Sequence, residues 1–270
     1  MHAPRPIALI LFSLLLGFIG AACRADTVLI TGATTGIGLE FARQYASRGW
    51  DVIATHHQKQ TPDALKDLAA KYPKVRTEQL DVSDEALVGA LAQKLKDVPV
   101  DVLINNAGLY AEGNGDPTTQ SFGHFHFALL DQIMAVNVKG PLMVTQALYP
   151  NLKAGHQKKI ICISSTNGSL THSPPGTLGM FYRTSKAALN KEMQLVAIDL
   201  KADGIVVLLI HPGVVRTEHF YEYSKKFGPF DAADSLDLPT SVGHMITTIQ
   251  RASIKDTGHF VLFDGSPLPW

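Results

Sequence analysis

Cysteine is nearly missing from this chain of 270 residues: only Cys23 and Cys162 occur. Two cysteines cannot build the disulfide framework of a small secreted scaffold. Cys162 stands inside the apolar run KIICIS and reads as a buried thiol. An excess of charge is missing too. Lys+Arg and Asp+Glu are equal at 24 each, which removes the basic footprint of a nucleic-acid binder and any acidic tail. There is no internal repeat and no low-complexity tract. The closest histidine pairs, His56-His57 and His124-x-His126, have no Cys or carboxylate partner at metal-site spacing. No metal and no nucleic-acid partner is therefore expected.

What is present is an ordinary globular composition behind an unusual start. Residues 1–25 hold Arg5, an apolar run from Ile7 to Ala22, and then small residues. That is the layout of a signal peptide, and the run 7–22 is short for a spanning helix but able to serve as a membrane anchor. The expected organisation is a leader over 1–25 and one domain over 26–270, a length that suits a single α/β unit.

After the leader, short apolar runs alternate with segments of helical period. Strands are expected in DTVLIT (26–31), WDVIATH (50–56), KVRTEQLDV (74–82), VDVLINNAG (100–108), KKIICISS (158–165), GIVVLLIHPG (204–213) and GHFVLFDG (258–265). Helices are expected over 38–49, 62–72, 84–97, 129–152, 182–201 and 240–252, with strain at Gly140-Pro141 in the fourth. Apolar strands alternating with helices imply a Rossmann-type doubly wound parallel sheet, covered on both faces, with its ligand at the carboxyl ends of the strands.

The first strand ends in TGATTGIG (31–38), a Gly-rich turn that opens a helix. Gly32, Gly36 and Gly38 permit the tight turn and let a pyrophosphate approach the helix N-terminus. Further on, FYRTSKAALN places Tyr182 and Lys186 one helical turn apart on one face.

Taken in order along the whole chain after the leader, these runs resemble the short-chain dehydrogenase/reductase family. A closer likeness, in YRTSKAALN and the closing DGSPLPW, is to the subgroup of sniffer-type carbonyl reductases and C-signal-like proteins. The resemblance implies a nicotinamide cofactor held by Thr31, Gly32, Thr35, Gly36, Ile37 and Gly38 in the loop. LDVSD would supply Asp81 and Val82, and NNAG would supply Asn106, Ala107 and Gly108. HPGVVRT would supply Pro212, Gly213, Val215 and Thr217. It also implies a catalytic set of Asn137, Ser165, Tyr182 and Lys186, with Tyr182 and Lys186 touching the cofactor as well.

The chemistry agrees with that set. Reducing a ketone needs a hydride, which a reduced nicotinamide supplies, and a proton, which the protein must give. A tyrosine near pKa 10 is a willing donor, and a lysine one turn away is expected to draw that pKa down. Ser165 would hold the substrate carbonyl, and Asn137 would hold a water linking Lys186 to solvent. Ser169 is the competing serine: it has the usual family spacing to Tyr182, whereas Ser165 stands further back, with SPPGTLG (173–179) read as an insertion. Asp81 has a plainer alternative as the N-cap of the next helix.

An acid at the end of the second strand would bind the ribose 2′-hydroxyl and select NAD. That strand ends in Thr55-His56-His57 without one. NADP(H) is therefore favoured over NAD(H), with His57 or Lys59 facing the added phosphate. The expected function is an NAD(P)-dependent oxidoreductase interconverting a small carbonyl compound and its alcohol. The alternatives are a non-catalytic NAD(P)-binding signalling protein and a nucleotide-sugar epimerase or dehydratase.

Three further expectations follow. The aromatic segment 218–235 is read either as a lid over an apolar substrate or as a packed surface. Helices 129–152 and 182–201 are where two copies would pair. The leader suggests a membrane-associated or exported protein, although nicotinamide chemistry needs a cytosolic-type cofactor supply.

Overall fold

The computed structural model describes residues 24–111, 117–172, 176–227 and 235–270. The expected leader lies outside the described residues up to Cys23, as do Ser173–Pro175 of the insertion and residues 228–234 of the aromatic segment.

The strands are β1 (Thr27–Ile30), β2 (Asp51–His56), β3 (Val75–Gln79), β4 (Val102–Asn105), β5 (Lys159–Ile163), β6 (Val206–His211), the short pair β7 (Val214–Val215) and β8 (Ser235–Leu236), and β9 (His259–Leu262). Seven of them form one sheet in the order β3-β2-β1-β4-β5-β6-β9, every neighbour parallel. The helices are α1 (Gly36–Ser47), α2 (Asp63–Lys71), α3 (Glu85–Lys94), α4 (Phe127–Met134), α5 (Gly140–Ala147), α6 (Tyr149–Ala154), α7 (Met180–Leu200), α8 (Glu218–Phe227) and α9 (Leu238–Arg251).

Successive strand residues point to opposite faces, and here both faces are dry. Val28, Ile30, Val102 and Ile104 pack with Phe41 and Tyr45 of α1, Leu65 of α2 and Ile246 of α9. Leu29, Leu103, Ile160 and Cys162 pack with Leu91 of α3, Val144 of α5 and Leu189 and Met193 of α7. Burial on both faces is why these strands read as unbroken apolar runs. Strand order reverses between β1 and β4, so a crevice opens there at the carboxyl ends of the strands.

Local chemistry sets the helix ends. Asp84 caps α3, accepting from the Ala86 and Leu87 N–H groups at 2.8 and 3.2 Å, and Asp237 caps α9 through the Thr240 N–H at 2.7 Å. Asp84 thus takes the capping position that was the plain alternative for Asp81. At the far end of α9, the Lys159 ammonium donates to the Ile249 and Gln250 carbonyls at 2.7 and 3.1 Å.

The helix expected over 129–152 is not one helix. It runs as α4, a wider π turn over Ala135–Lys139, α5 and then α6. Pro141 has no N–H to give the Asn137 carbonyl, so the α pattern cannot close there, and the Gly140 N–H instead bonds the Ala135 carbonyl. The strain expected at Gly140-Pro141 is released one turn earlier, at Asn137. The helix expected from residue 182 starts at Met180, which puts Tyr182 in its first turn.

At the amino-terminal ends of the central strands, Asp26, Asp101 and His156 converge. Both Asp101 oxygens are taken by backbone N–H groups, Thr27 at 2.8 Å on one and His156 at 2.6 Å on the other. That buried carboxylate ties strand starts together.

Candidate active site

β1 runs through the Gly-rich turn into α1, whose N-terminus opens on a cavity of about 750 Å³. Of the expected cofactor residues, Gly32, Thr35, Gly36, Ile37, Gly38, His57, Asp81, Val82, Asn106, Ala107, Gly108 and Thr217 line it. Two glycines of the turn have no room for a side chain. Gly32 has φ +63, and a Cβ there would stand 2.9 Å from the Ala107 Cα; a Cβ on Gly38 would run into the Gly32 carbonyl and the Asn106 amide.

No side chain caps α1, and no acid occupies its first turn. Its leading N–H groups and the positive end of its dipole are therefore available to an anion, and the residues present fit a pyrophosphate.

Thr31 does not line the cavity. It is buried below it, its hydroxyl accepting from the Asn106 and Ala107 N–H groups at 3.0 Å each. The Asn106 amide returns two bonds, to the Thr31 and Gly32 carbonyls at 3.0 and 2.9 Å. The NNAG turn and the Gly-rich turn are thus locked as one unit. Asp81 accepts from the Ser83 N–H and hydroxyl at 2.9 and 2.6 Å, through a single carboxylate oxygen. Pro212 lines neither this cavity nor the next; its carbonyl accepts from the Ser241 hydroxyl at 2.7 Å.

A second cavity of about 600 Å³ adjoins the first, and the two share Ile37, Tyr110, Thr217 and His219. Ser165, Tyr182, Gly213 and Val215 line the second. The Ser165 hydroxyl accepts from the Asn167 N–H at 3.2 Å and is near enough to the Tyr182 phenol to pull its pKa down. Ser169 is buried, accepts from the His172 N–H at 2.9 Å and lines neither cavity. Of the two candidate serines, only Ser165 meets the tyrosine.

The expected lowering of the Tyr182 pKa by Lys186 is not what the protein does on its own. Burial pushes the Tyr182 phenol up to about 12, with Ser165 pulling the other way. Burial also pushes Lys186 down to about 8. Lys186 does not reverse the shift: its ammonium donates to the Ile163 carbonyl at 2.8 Å and sits over the Tyr182 ring, 5.6 Å from its centre.

The Asn137 side chain is also committed. Its amide oxygen accepts from the Leu109 N–H at 2.7 Å, and its NH₂ donates to the Leu109 carbonyl at 2.8 Å and the Ser185 hydroxyl at 2.9 Å. Ser185 in turn donates to the Tyr182 carbonyl at 2.7 Å. Asn137 lines neither cavity, and these bonds make its side chain a brace between the turn after β4 and α7.

Several residues at the site carry no sequence signal. Tyr110 packs edge-on to both Tyr182 and His219, with ring centres 4.9 and 5.6 Å apart. His211, at the end of β6, lines the second cavity and is pushed down to about 4 by burial, so it is neutral at working pH. Gln120 is fully buried against Tyr110 and Tyr182. α8 brings Glu218, His219 and Glu222 to the first cavity and Phe220 to the second.

Comparison with known proteins matches residues 26–227 to a family described as short chain dehydrogenase. Among solved structures, the chain is similar to an NADPH-bound carbonyl reductase from chicken fatty liver, with a TM-score of 0.79 and 29% identity, covering 92% of this chain and all of that one. It is also similar to the carbonyl reductase Sniffer of D. melanogaster, with a TM-score of 0.76 and 27% identity over the same share of each chain. C-signal of Myxococcus xanthus is 35% identical over 173 residues, 64% of this chain and 93% of that protein.

Proposed function

The chain belongs to the short-chain dehydrogenase family, and from that premise we propose that it uses NADP(H) to interconvert a small apolar carbonyl compound and its alcohol, with Tyr182 as the proton donor. The observation that carries this reading is the meeting of Ser165, Tyr182 and Lys186 beside the wall shared by the two cavities.

The cofactor, when bound, supplies or accepts the hydride. Gly32, Gly36 and Gly38 would hold its pyrophosphate against the α1 N-terminus. Asp81, Val82 and the Asn106–Gly108 turn would hold the adenosine half, and Val215 and Thr217 the nicotinamide half. The lack of an acid at the end of β2, with His57 on the cavity wall, supports NADP(H) over NAD(H). The NADPH in the similar chicken structure points the same way.

Substrate would enter the second cavity, whose Leu178, Val214, Val215 and Phe220 suit an apolar body. Ser165 donates to the carbonyl oxygen and holds it near Tyr182. A phenol kept neutral by burial has its proton to give, and the oxygen that gains electron density in the transition state takes it. The charge of Lys186 then favours the tyrosinate left behind. Asn137 fixes the geometry by tying Leu109 to Ser185, and Ser185 to the backbone of Tyr182 itself. Exposed Leu195 and Ile198 on α7 support pairing of two copies through that helix.

The test is an NADPH and NADH oxidation screen over aldehydes and ketones, using protein that begins at Asp26. The expected result is turnover of at least one carbonyl, faster with NADPH. Cofactor binding with no turnover across a broad panel would favour the non-catalytic reading instead.

A further inference from the structure

α7 begins without a cap of its own. Its first residue is preceded by Gly179, at φ +71, which has no side chain to accept from the N–H groups of the first turn. A helix start normally takes that acceptor from a Ser, Thr, Asp or Asn at this position. The first ordinary helical bond is from the Arg183 N–H to the Gly179 carbonyl at 2.9 Å, so Tyr182 is the last of the residues left to find another partner. It finds Gln120: the Tyr182 N–H donates to the Gln120 Oε1 at 3.0 Å.

Gln120 is fully buried at the end of a 3₁₀ turn over Pro117–Gln120. Its Nε2 donates to the Tyr110 carbonyl at 2.7 Å. One amide therefore joins the backbones of the two tyrosines whose rings pack edge-on at the junction of the cavities. Gly179 suits the arrangement because its φ of +71 is one that residues with a side chain rarely adopt, and the Tyr110 hydroxyl lies in contact distance, 3.4 Å from where a Cβ would stand. The helix start is bare where Tyr110 approaches it, and the missing cap is delivered from a distant turn.

We infer that Gln120 is a positioning residue for the reaction: it caps α7 in place of Gly179, sets the register of Tyr182 in the first turn, and holds Tyr110 against it at the substrate cavity. Gln120 itself lines neither cavity, so it acts through the two tyrosines it bonds. The inference rests on Tyr182 being the proton donor. A proton transfer tolerates little displacement, and a shift of about 1 Å can cost up to about a hundredfold in rate.

The experiment compares the full-length protein with Gln120→Leu and Gln120→Glu, using NADPH and a carbonyl compound that the wild type reduces. Leu removes both hydrogen bonds at similar volume. Glu keeps the acceptor for the Tyr182 N–H, where a negative charge also suits the helix start, and loses the donor to Tyr110. The expected order of kcat is wild type, then Gln120→Glu, then Gln120→Leu, the last lower by about tenfold to a hundredfold. The NADPH dissociation constant should not move. Amide hydrogen exchange should quicken over Met180–Lys186 in Gln120→Leu and stay unchanged in the rest of α7.

Wild-type kcat in Gln120→Leu, or a loss of kcat matched by an equal loss of NADPH affinity, overturns the assignment. If Gln120→Leu does not fold, Gln120→Asn decides, because its amide is one methylene too short to reach both backbones; the same split is expected, and wild-type kcat again overturns it. A wild type that reduces no carbonyl removes the proposed function and this role with it. Turnover in the wild type with an unaffected Gln120→Leu removes this role alone.

Discussion

The cavity that fits a nucleotide is assembled from short contiguous runs at the ends of β1, β3 and β4, each supplying several neighbouring residues. The cavity lined by Tyr182 draws shorter pieces from more places: Tyr110 after β4, Ser165 to Asn167 after β5, Leu178 and Tyr182 around the start of α7, His211 and Gly213 to Val215 at and beyond the end of β6, and Phe220 from α8. The first is a backbone device, in which glycines and N–H groups would do the binding and side chains mainly hold turns together. The second is a side-chain device, and its shape depends on how helices and loops are docked on the sheet. The two should therefore fail in different ways.

The largest effect on cofactor affinity is expected where the backbone device has no slack. Gly38→Val forces a branched side chain into the Gly32 carbonyl and the Asn106 amide, so the turn must open and the NADPH-binding surface is lost. Titration of NADPH fluorescence should show affinity down by about a hundredfold or more, since about 2.8 kcal/mol of lost contact gives that factor. Near-normal affinity would mean that this turn does not carry the cofactor.

A side-chain change in the second cavity should leave cofactor affinity alone. Ser165→Ala is expected to cost about a hundredfold in kcat, the usual loss for one donor to a developing oxyanion. Ser169→Ala, whose hydroxyl accepts from the His172 N–H away from both cavities, should stay near wild type. The reverse pattern would assign the role to Ser169.

A smaller effect separates the two cavities by pH. Lys186 is pushed down to about 8 by burial, so it is charged below that value and neutral above it. Carbonyl reduction at saturating NADPH should fall by up to about tenfold per pH unit above the limb, and Lys186→Arg should move the limb upward. A rate flat to about pH 10, the ordinary lysine range, would show that the charge on Lys186 is not needed. The smallest effect is expected far from both cavities. Asp84→Ala removes the α3 cap and should cost about 1 kcal/mol of stability, seen as a lower Tm with kcat unchanged.

The same contrast decides what could be read from the sequence. The strand-helix alternation and the Gly-rich turn were legible because they are local: burial on both faces produces apolar runs, and a close turn produces glycines at fixed spacing. Tyr182 and Lys186 were legible because one helical turn links them. The choice between Ser165 and Ser169 stayed open in the sequence because spacing counts residues along the chain, while Ser165 comes near Tyr182 by standing just past the end of β5. The break at Asn137 was placed one turn late because Pro141 withdraws a bond from a carbonyl four residues earlier. Gln120 and Tyr110 were invisible, since nothing in their neighbourhood marks a glutamine that caps a helix 62 residues away. The direction of the Tyr182 shift was misjudged because sequence gives the nearness of Lys186 but not the depth of burial.

The most direct test of the account is NADPH oxidation by wild type and Tyr182→Phe side by side, on the same carbonyl compound, with NADPH affinity measured on both. Phe keeps the ring beside Tyr110 and removes only the hydroxyl. The account predicts unchanged NADPH affinity and a rate lower by about a thousandfold, within the range for loss of a general acid. Turnover by Tyr182→Phe within a fewfold of the wild-type rate would contradict it.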